Sequence, residues 1–124
     1  MDAGDPLTRK VIGCAIEVHR QLGPGLLESA YESCLCHELV QQGLGVERQR
    51  PLPINYKNVL VDCGYKLDLV VENALIVELK AVEAVLPIHQ AQILTYLKLS
   101  GLRVGLLVNV NVRILKGGIT RLVM

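Results

Sequence analysis

Three ionisable residues stand in a stretch of chain that otherwise favours burial. In YKLDLVVENALIVELKAV, Asp68 lies in one apolar run, and Glu78 and Lys80 lie in the next. A carboxylate or ammonium in a half-buried strand costs several kcal/mol unless something neutralises it. A divalent cation would neutralise the two acids. The chemistry that suits such a trio is phosphodiester hydrolysis. The metal lowers the pKa of a bound water and offsets charge on the phosphate, and the lysine can orient that water or stabilise charge built up in the transition state.

The turn between the two runs decides whether the acids meet. Side chains alternate along a strand, so Glu78 and Lys80 share one face and Val77, Leu79 and Ala81 share the other. A two-residue loop, Glu72-Asn73, would pair Asp68 with Val77 and send the acids to opposite faces. A three-residue loop, Glu72-Asn73-Ala74, pairs Asp68 with Glu78. The longer loop is favoured, because two-residue turns prefer Asn-Gly or Asp-Gly and Asn73 is followed by Ala. In that register the two Cβ atoms lie about 4.5–5.5 Å apart. Both carboxylates could then hold one Mg²⁺ through oxygens at about 2.0–2.1 Å, with the backbone carbonyl of Leu79 as a further ligand. The competing reading is a cross-strand salt-bridge network of Asp68, Glu78 and Lys80 on a wet sheet face.

Downstream, Gln92 and Tyr96 are spaced i, i+4 and share a helix face, with His89 one turn earlier. A Gln and a Tyr aimed at the acids could hold a substrate phosphate or the attacking water. Equally, Gln92 could be a solvated residue and Tyr96 a rim residue with a wet hydroxyl. His89 follows Pro87 closely and is expected to help cap the helix. The opposite stripe of Ala91, Leu94 and Leu97 is expected to pack on a sheet.

The elements that must position these groups follow from local pattern. Asp5-Pro6 is a helix start, and Leu7, Val11, Ile12, Ala15, Ile16, Val18 and Leu22 recur at helical spacing. Gly23-Pro24-Gly25 ends that helix. A second helix runs from about Leu26 to Gln42, stopped by Gly43 and Gly45. Val46 to Tyr56 is extended but carries Pro51 and Pro53, so it reads as an edge strand or partly irregular. After a Lys57-Asn58 turn, Val59 to Val71 reads as a strand bent at Gly64, and Leu75 to Ala81 as the next. Pro87 opens a helix that ends at Gly101. Arg103 to Val110 is a continuous apolar strand, typical of one buried on both faces, and Ile119 to Met124 forms a last short strand. The expected architecture is α/β, in the order α-α-β-β-β-α-β-(β), in a single domain over residues 1–124.

Composition narrows the functional classes. The chain has 124 residues, a formal net charge of +1, no Phe or Trp and four Tyr. Nothing in that charge pulls globally on nucleic acid, and an aromatic platform for single-stranded bases is not expected. Cys14, Cys34, Cys36 and Cys63 have no metal-like spacing and read as small buried residues in a reducing compartment. No signal-peptide pattern or membrane span is evident, which points to the cytoplasm.

With these residues in place, the chain resembles the PD-(D/E)XK nuclease superfamily. Asp68, then Glu78-Leu79-Lys80, then Gln92-x-x-x-Tyr96 follow in a β-β-α order, and the last element is similar to that of the RecB-like and λ-exonuclease-like branches. Gly25-Leu26-Leu27-Glu28-Ser29-Ala30-Tyr31 is similar to the signature of the bacterial GxxExxY proteins, and the likeness extends from about Leu7 to Leu122. Leu67 stands where the superfamily name expects a proline.

The resemblance implies a restriction-endonuclease-like core, a mixed β-sheet flanked by helices. It implies Asp68 and Glu78 as metal-binding acids, Lys80 as catalytic lysine, and Glu28 as a helical acid supporting the metal or its water. Gln92 and Tyr96 are implied as substrate-positioning residues. Gly25 is expected to serve the turn and Tyr31 to pack, while Glu17 is expected on a solvated helix face. The implied activity is Mg²⁺- or Mn²⁺-dependent hydrolysis of DNA, or less readily RNA, by a homodimer or with a larger partner. The alternative is a non-catalytic binding or assembly module that keeps the fold.

Overall fold

A computed structural model of the protein describes residues 4–124; the first three residues of the expected domain lie outside it. Asp5 caps the first helix, α1 (Pro6–Leu22), its carboxylate accepting the Thr8 N–H at 2.8 Å. This contact satisfies one of the donors that a helix start leaves orphaned and holds the Asp5 carboxyl below its ordinary pKa. Gly23 ends α1 at a φ of 73°, in the left-handed region open to glycine. The second helix, α2 (Glu28–Gln41), follows at once. Tyr31 is completely buried between the two, its hydroxyl donating to the Ala15 carbonyl at 2.5 Å. Burial raises its phenol pKa, so Tyr31 is a packing residue, as expected. Gly25 lies in the turn, but neither its φ nor the space around it demands glycine.

The strands are β1 (Val46–Pro51), β2 (Ile54–Tyr56), β3 (Val59–Val61), β4 (Lys66–Val71), β5 (Leu75–Lys80), β6 (Val104–Asn109) and β7 (Ile119–Val123). The expected Val46–Tyr56 and Val59–Val71 segments each divide in two. Pro51 and Pro53 interrupt the first, and Gly64, at a φ of 74°, breaks the second. The inner pieces, β2 and β3, form a small separate hairpin around Lys57-Asn58, both in left-handed conformation. The other five strands form a mixed sheet in the order β1-β4-β5-β6-β7. β5 and β6 are parallel, and such a pair needs a crossover. α3 (Pro87–Ser100) lies between them in the chain and ends at left-handed Gly101.

Two apolar layers sandwich the sheet. On one face Val11, Ala15, Tyr31, Leu35 and Leu39 from α1 and α2 pack on Leu69, Val71, Leu75, Val77, Leu79, Leu106 and Val108. On the other, Ile93 and Leu97 of α3 pack on Leu67, Val70, Ile76 and Leu107. This is the α/β, restriction-endonuclease-like arrangement expected. The buried stripe of α3 is set one step round from the expected one: Ile93 and Leu97 are buried, whereas Ala91 is exposed. Gly105 explains the close seat of α3, since a Cβ there would lie 2.7 Å from Ile93. The cysteines are all free, but only Cys14 is buried; Cys34 and Cys36 are half-buried and Cys63 is exposed. A cysteine is small enough to sit at any of these depths, so its type alone did not fix burial.

Candidate active site

The β4–β5 turn contains Glu72, Asn73 and Ala74, with Glu72 and Asn73 in left-handed conformation. The ladder runs from Val71 opposite Leu75 to Leu69 opposite Val77, which brings Asp68 level with Glu78. There the two strands part. β4 continues to pair with β1 as far as Pro51 opposite Lys66, and β5 continues with β6 as far as Lys80 opposite Asn109. Between them, side chains replace the ladder: the Asp68 N–H donates to Glu78 Oε1 at 3.3 Å, and the Leu79 N–H donates to Asp68 Oδ2 at 2.9 Å.

The facing of side chains also slips at this point. Leu69 and Leu67 would share a face in a regular strand, yet Leu69 packs under α1 and α2 while Leu67 packs under α3. The β1 residue level with Asp68 is Gln49, at a φ of 52°. Its amide donates to Glu32 Oε1 at 2.7 Å and reaches Asp68 Oδ1 at 3.4 Å. Glu32 is buried and is also held by Arg48 at 3.0 Å. Asp68, Leu79, Gln49, Glu32, Glu28 and Ser29 together line a pocket of about 170 Å³.

Glu78, whose carboxylate accepts the Asp68 N–H, does not line this pocket and is only 6 % exposed. Its carboxyl pKa is pushed up to about 9, first by desolvation and then by the side-chain hydrogen bond and negative charge of Asp68, while the Asp68 N–H and the charge of Lys80 pull the other way. The salt-bridge network considered as an alternative does not form. Among the described residues, ion pairs join Arg20–Glu17, Arg48–Glu32, Arg50–Glu47 and Arg121–Asp5, and none involves Asp68, Glu78 or Lys80.

Glu28 is the first residue of α2, where its charge complements the helix dipole. Its Oε1 accepts the Ala81 N–H at 2.8 Å, tying α2 to the end of β5 just beyond Lys80. Asn109 secures the same segment, donating to the Val82 carbonyl at 2.9 Å and accepting from the Val82 N–H at 3.2 Å. His89 accepts the Leu86 N–H at 3.0 Å and so caps α3, as expected. Glu17 pairs with Arg20 on the solvated face of α1, also as expected.

Gln92 and Tyr96 share a face of α3 but line a neighbouring pocket, with Gln92 exposed. Tyr96 is half-buried; desolvation raises its phenol pKa, and the charges of Glu78, Tyr65 and Asp68 raise it further. The five residues Glu28, Asp68, Glu78, Lys80 and Gln92 therefore flank one end of the sheet without all lining one pocket. Among the described residues, no three His, Cys, Asp or Glu stand close enough to hold a metal ion together. The close acidic pair is Asp68 and Glu78, with the Glu28 carboxylate turned to the backbone.

Sequence reasoning missed Gln49, Glu32 and Asn109. Glu32 carried a signal, lying four residues after Glu28 and hence on the same helix face. Gln49 carried none, because its part depends on a left-handed strand residue that its type does not call for.

A family model of the PD-(D/E)XK nuclease superfamily matches residues 5–122, and the chain belongs to that superfamily. No curated protein and no solved structure matches it.

Proposed function

We propose that the protein is a Mg²⁺- or Mn²⁺-dependent nuclease that hydrolyses phosphodiester bonds of DNA, and less readily of RNA, in the cytoplasm. The observation that carries this reading is the opening of the β4–β5 ladder at Asp68 and Glu78. Two carboxylates meet there, one of them buried, with no cation paired to either among the described residues. A site that raises a carboxyl pKa to about 9 has room in its electrostatics for added positive charge. Mg²⁺ commonly uses only one or two carboxylates together with waters and substrate phosphate, so this pair fits it.

Asp68, Glu78 and the Leu79 carbonyl would hold the ion, with Glu28 reaching it through water. Bound there, it would supply a water of lowered pKa and an electrophile for the phosphate. Lys80, on the same strand face as Glu78, stabilises negative charge on the phosphate or orients the attacking water. Glu28 and Asn109 fix the backbone at Ala81 and Val82 and so hold Lys80 in place. Gln92 and Tyr96 position the strand on the α3 side. The chain is small and its net charge is only +1, so a duplex substrate calls for a second copy or a larger partner.

The test incubates purified protein with plasmid, single-stranded DNA and RNA, in Mg²⁺, Mn²⁺ or EDTA, beside Lys80→Ala. Metal-dependent cleavage that the variant loses is the expected result. No cleavage of any substrate by folded protein would leave the binding or assembly module as the function.

A further inference from the structure

Two of the four tyrosines, Tyr65 and Tyr96, meet on the α3 side of the molecule, away from the buried Tyr31. Tyr65 immediately precedes β4, and its ring packs on that of Tyr96, with centroids 6.2 Å apart and planes tilted by 55°. The two rings, with Ile54, Ile88, Thr95 and Gln92, line a mainly apolar pocket of about 230 Å³. Tyr65 is 46 % exposed, so a large part of it meets solvent. The pocket adjoins the acids through two elements. Tyr65 is three residues before Asp68, about 10 Å at the usual strand rise. Tyr96 packs against the apolar layer of Leu67 and Ile76, on the sheet face that also carries Glu78 and Lys80. The small β2–β3 hairpin stands at its rim, tied down by the Leu52 N–H donating to the Tyr65 carbonyl at 2.8 Å.

We infer that this pocket takes one unstacked nucleobase next to the phosphate held at the acids, making an unpaired strand the substrate; the inference rests on the nuclease reading. Its volume is below the usual range for larger ligands, about 300–1,000 Å³, and suits a single ring system. Aromatic and aliphatic walls favour any base through its π-face, without regard to sequence. Gln92 offers an amide that can donate to or accept from a base edge. A base within a duplex enters only after unpairing and unstacking, whereas a base in a single strand or frayed end is already free to enter. The two tyrosines of this pocket are far apart in the chain, and composition, with four Tyr and no Phe or Trp, pointed to no such platform.

The experiment measures binding of a short fluorescent single-stranded oligonucleotide to Lys80→Ala protein in EDTA, and cleavage of the same strand by Lys80-containing protein in Mg²⁺. Both are repeated with Tyr65→Ala and Tyr65→Phe, after circular dichroism has established folding. Tyr65→Ala is expected to weaken single-strand binding about tenfold, the scale of one lost base stack, and to slow cleavage in step. Tyr65→Phe should restore both. Blunt duplex should bind more weakly and show no dependence on Tyr65. Cleavage of single strands that is indifferent to Tyr65→Ala would overturn the base pocket and leave the nuclease reading standing. Tyr65-dependent binding without cleavage in Mg²⁺ or Mn²⁺ would keep the pocket and remove the nuclease. Equal Tyr65 dependence on blunt duplex would also overturn the pocket.

Discussion

Glu78 is the residue on which the electrostatics of the site turn. Its carboxyl is buried beside Asp68 and titrates at about 9, against an ordinary value of 4.5. Between those two values the folded state keeps a proton that the unfolded state has released. Folding is then favoured at the acid end of the window and loses that contribution as pH rises through the folded pKa. Metal-free protein in EDTA should therefore show a thermal midpoint that falls between pH about 5 and about 9, and Glu78→Gln should flatten that fall. A midpoint that rises over this range, or a variant with the same slope as wild type, would contradict the assignment. The acid and acid-x-lysine pattern was legible in the sequence, as was the three-residue loop that brings Asp68 level with Glu78. The unusual state of Glu78 was not, because desolvation depends on what covers the residue.

At the scale of elements, the site exists because β4 and β5 part company while each keeps its other neighbour. The segment beyond β5 is then held by side chains: Asn109 clamps Val82 through both its N–H and its carbonyl, and Glu28 holds Ala81. Asn109 is itself buried, so its removal strips partners from backbone groups near the sheet end. Asn109→Ala should cost about 1–3 kcal/mol in urea unfolding, the scale of losing buried hydrogen bonds. It should also reduce cleavage more than an equally destabilising change far from this edge. An activity loss no larger than that of such a control would remove Asn109 from the positioning of Lys80. The order of helices and major strands could be read from caps, prolines and apolar spacing. The division of the middle segments into β1 to β4 could not, since a proline or glycine marks a break without saying whether the chain resumes the same sheet.

For the molecule as a whole, the superfamily match and the mixed sheet between two helical layers define one scaffold with its acids at one end. If those acids hold a divalent ion, binding stabilises the entire fold by linkage, about 2.7 kcal/mol when the free ion is a hundredfold above its dissociation constant. Saturating Mg²⁺ should therefore raise the thermal midpoint, more at mildly alkaline than at mildly acid pH, because the ion competes with the proton on Glu78. Asp68→Ala should abolish the rise. A midpoint unmoved by Mg²⁺ and Mn²⁺ at every pH would remove the metal from the reading even if nucleic acid still binds. Among the described residues no helix is long and apolar enough to cross a membrane.

The sequence by itself determined the local facts: where helices start, where strands turn, and which charged side chains sit in apolar runs. These depend on neighbours within a few residues, and Asp5-Pro6, Gly101 and Glu72-Asn73-Ala74 each declared themselves. Tertiary structure alone decided which of those charges lose water and which distant groups meet. The slip of side-chain facing at Asp68, the left-handed Gln49 reaching it, the burial of Glu78 and the meeting of Tyr65 with Tyr96 all depend on long-range packing. No window along the chain contains that packing, because the partners are brought together only when both faces of the sheet are covered.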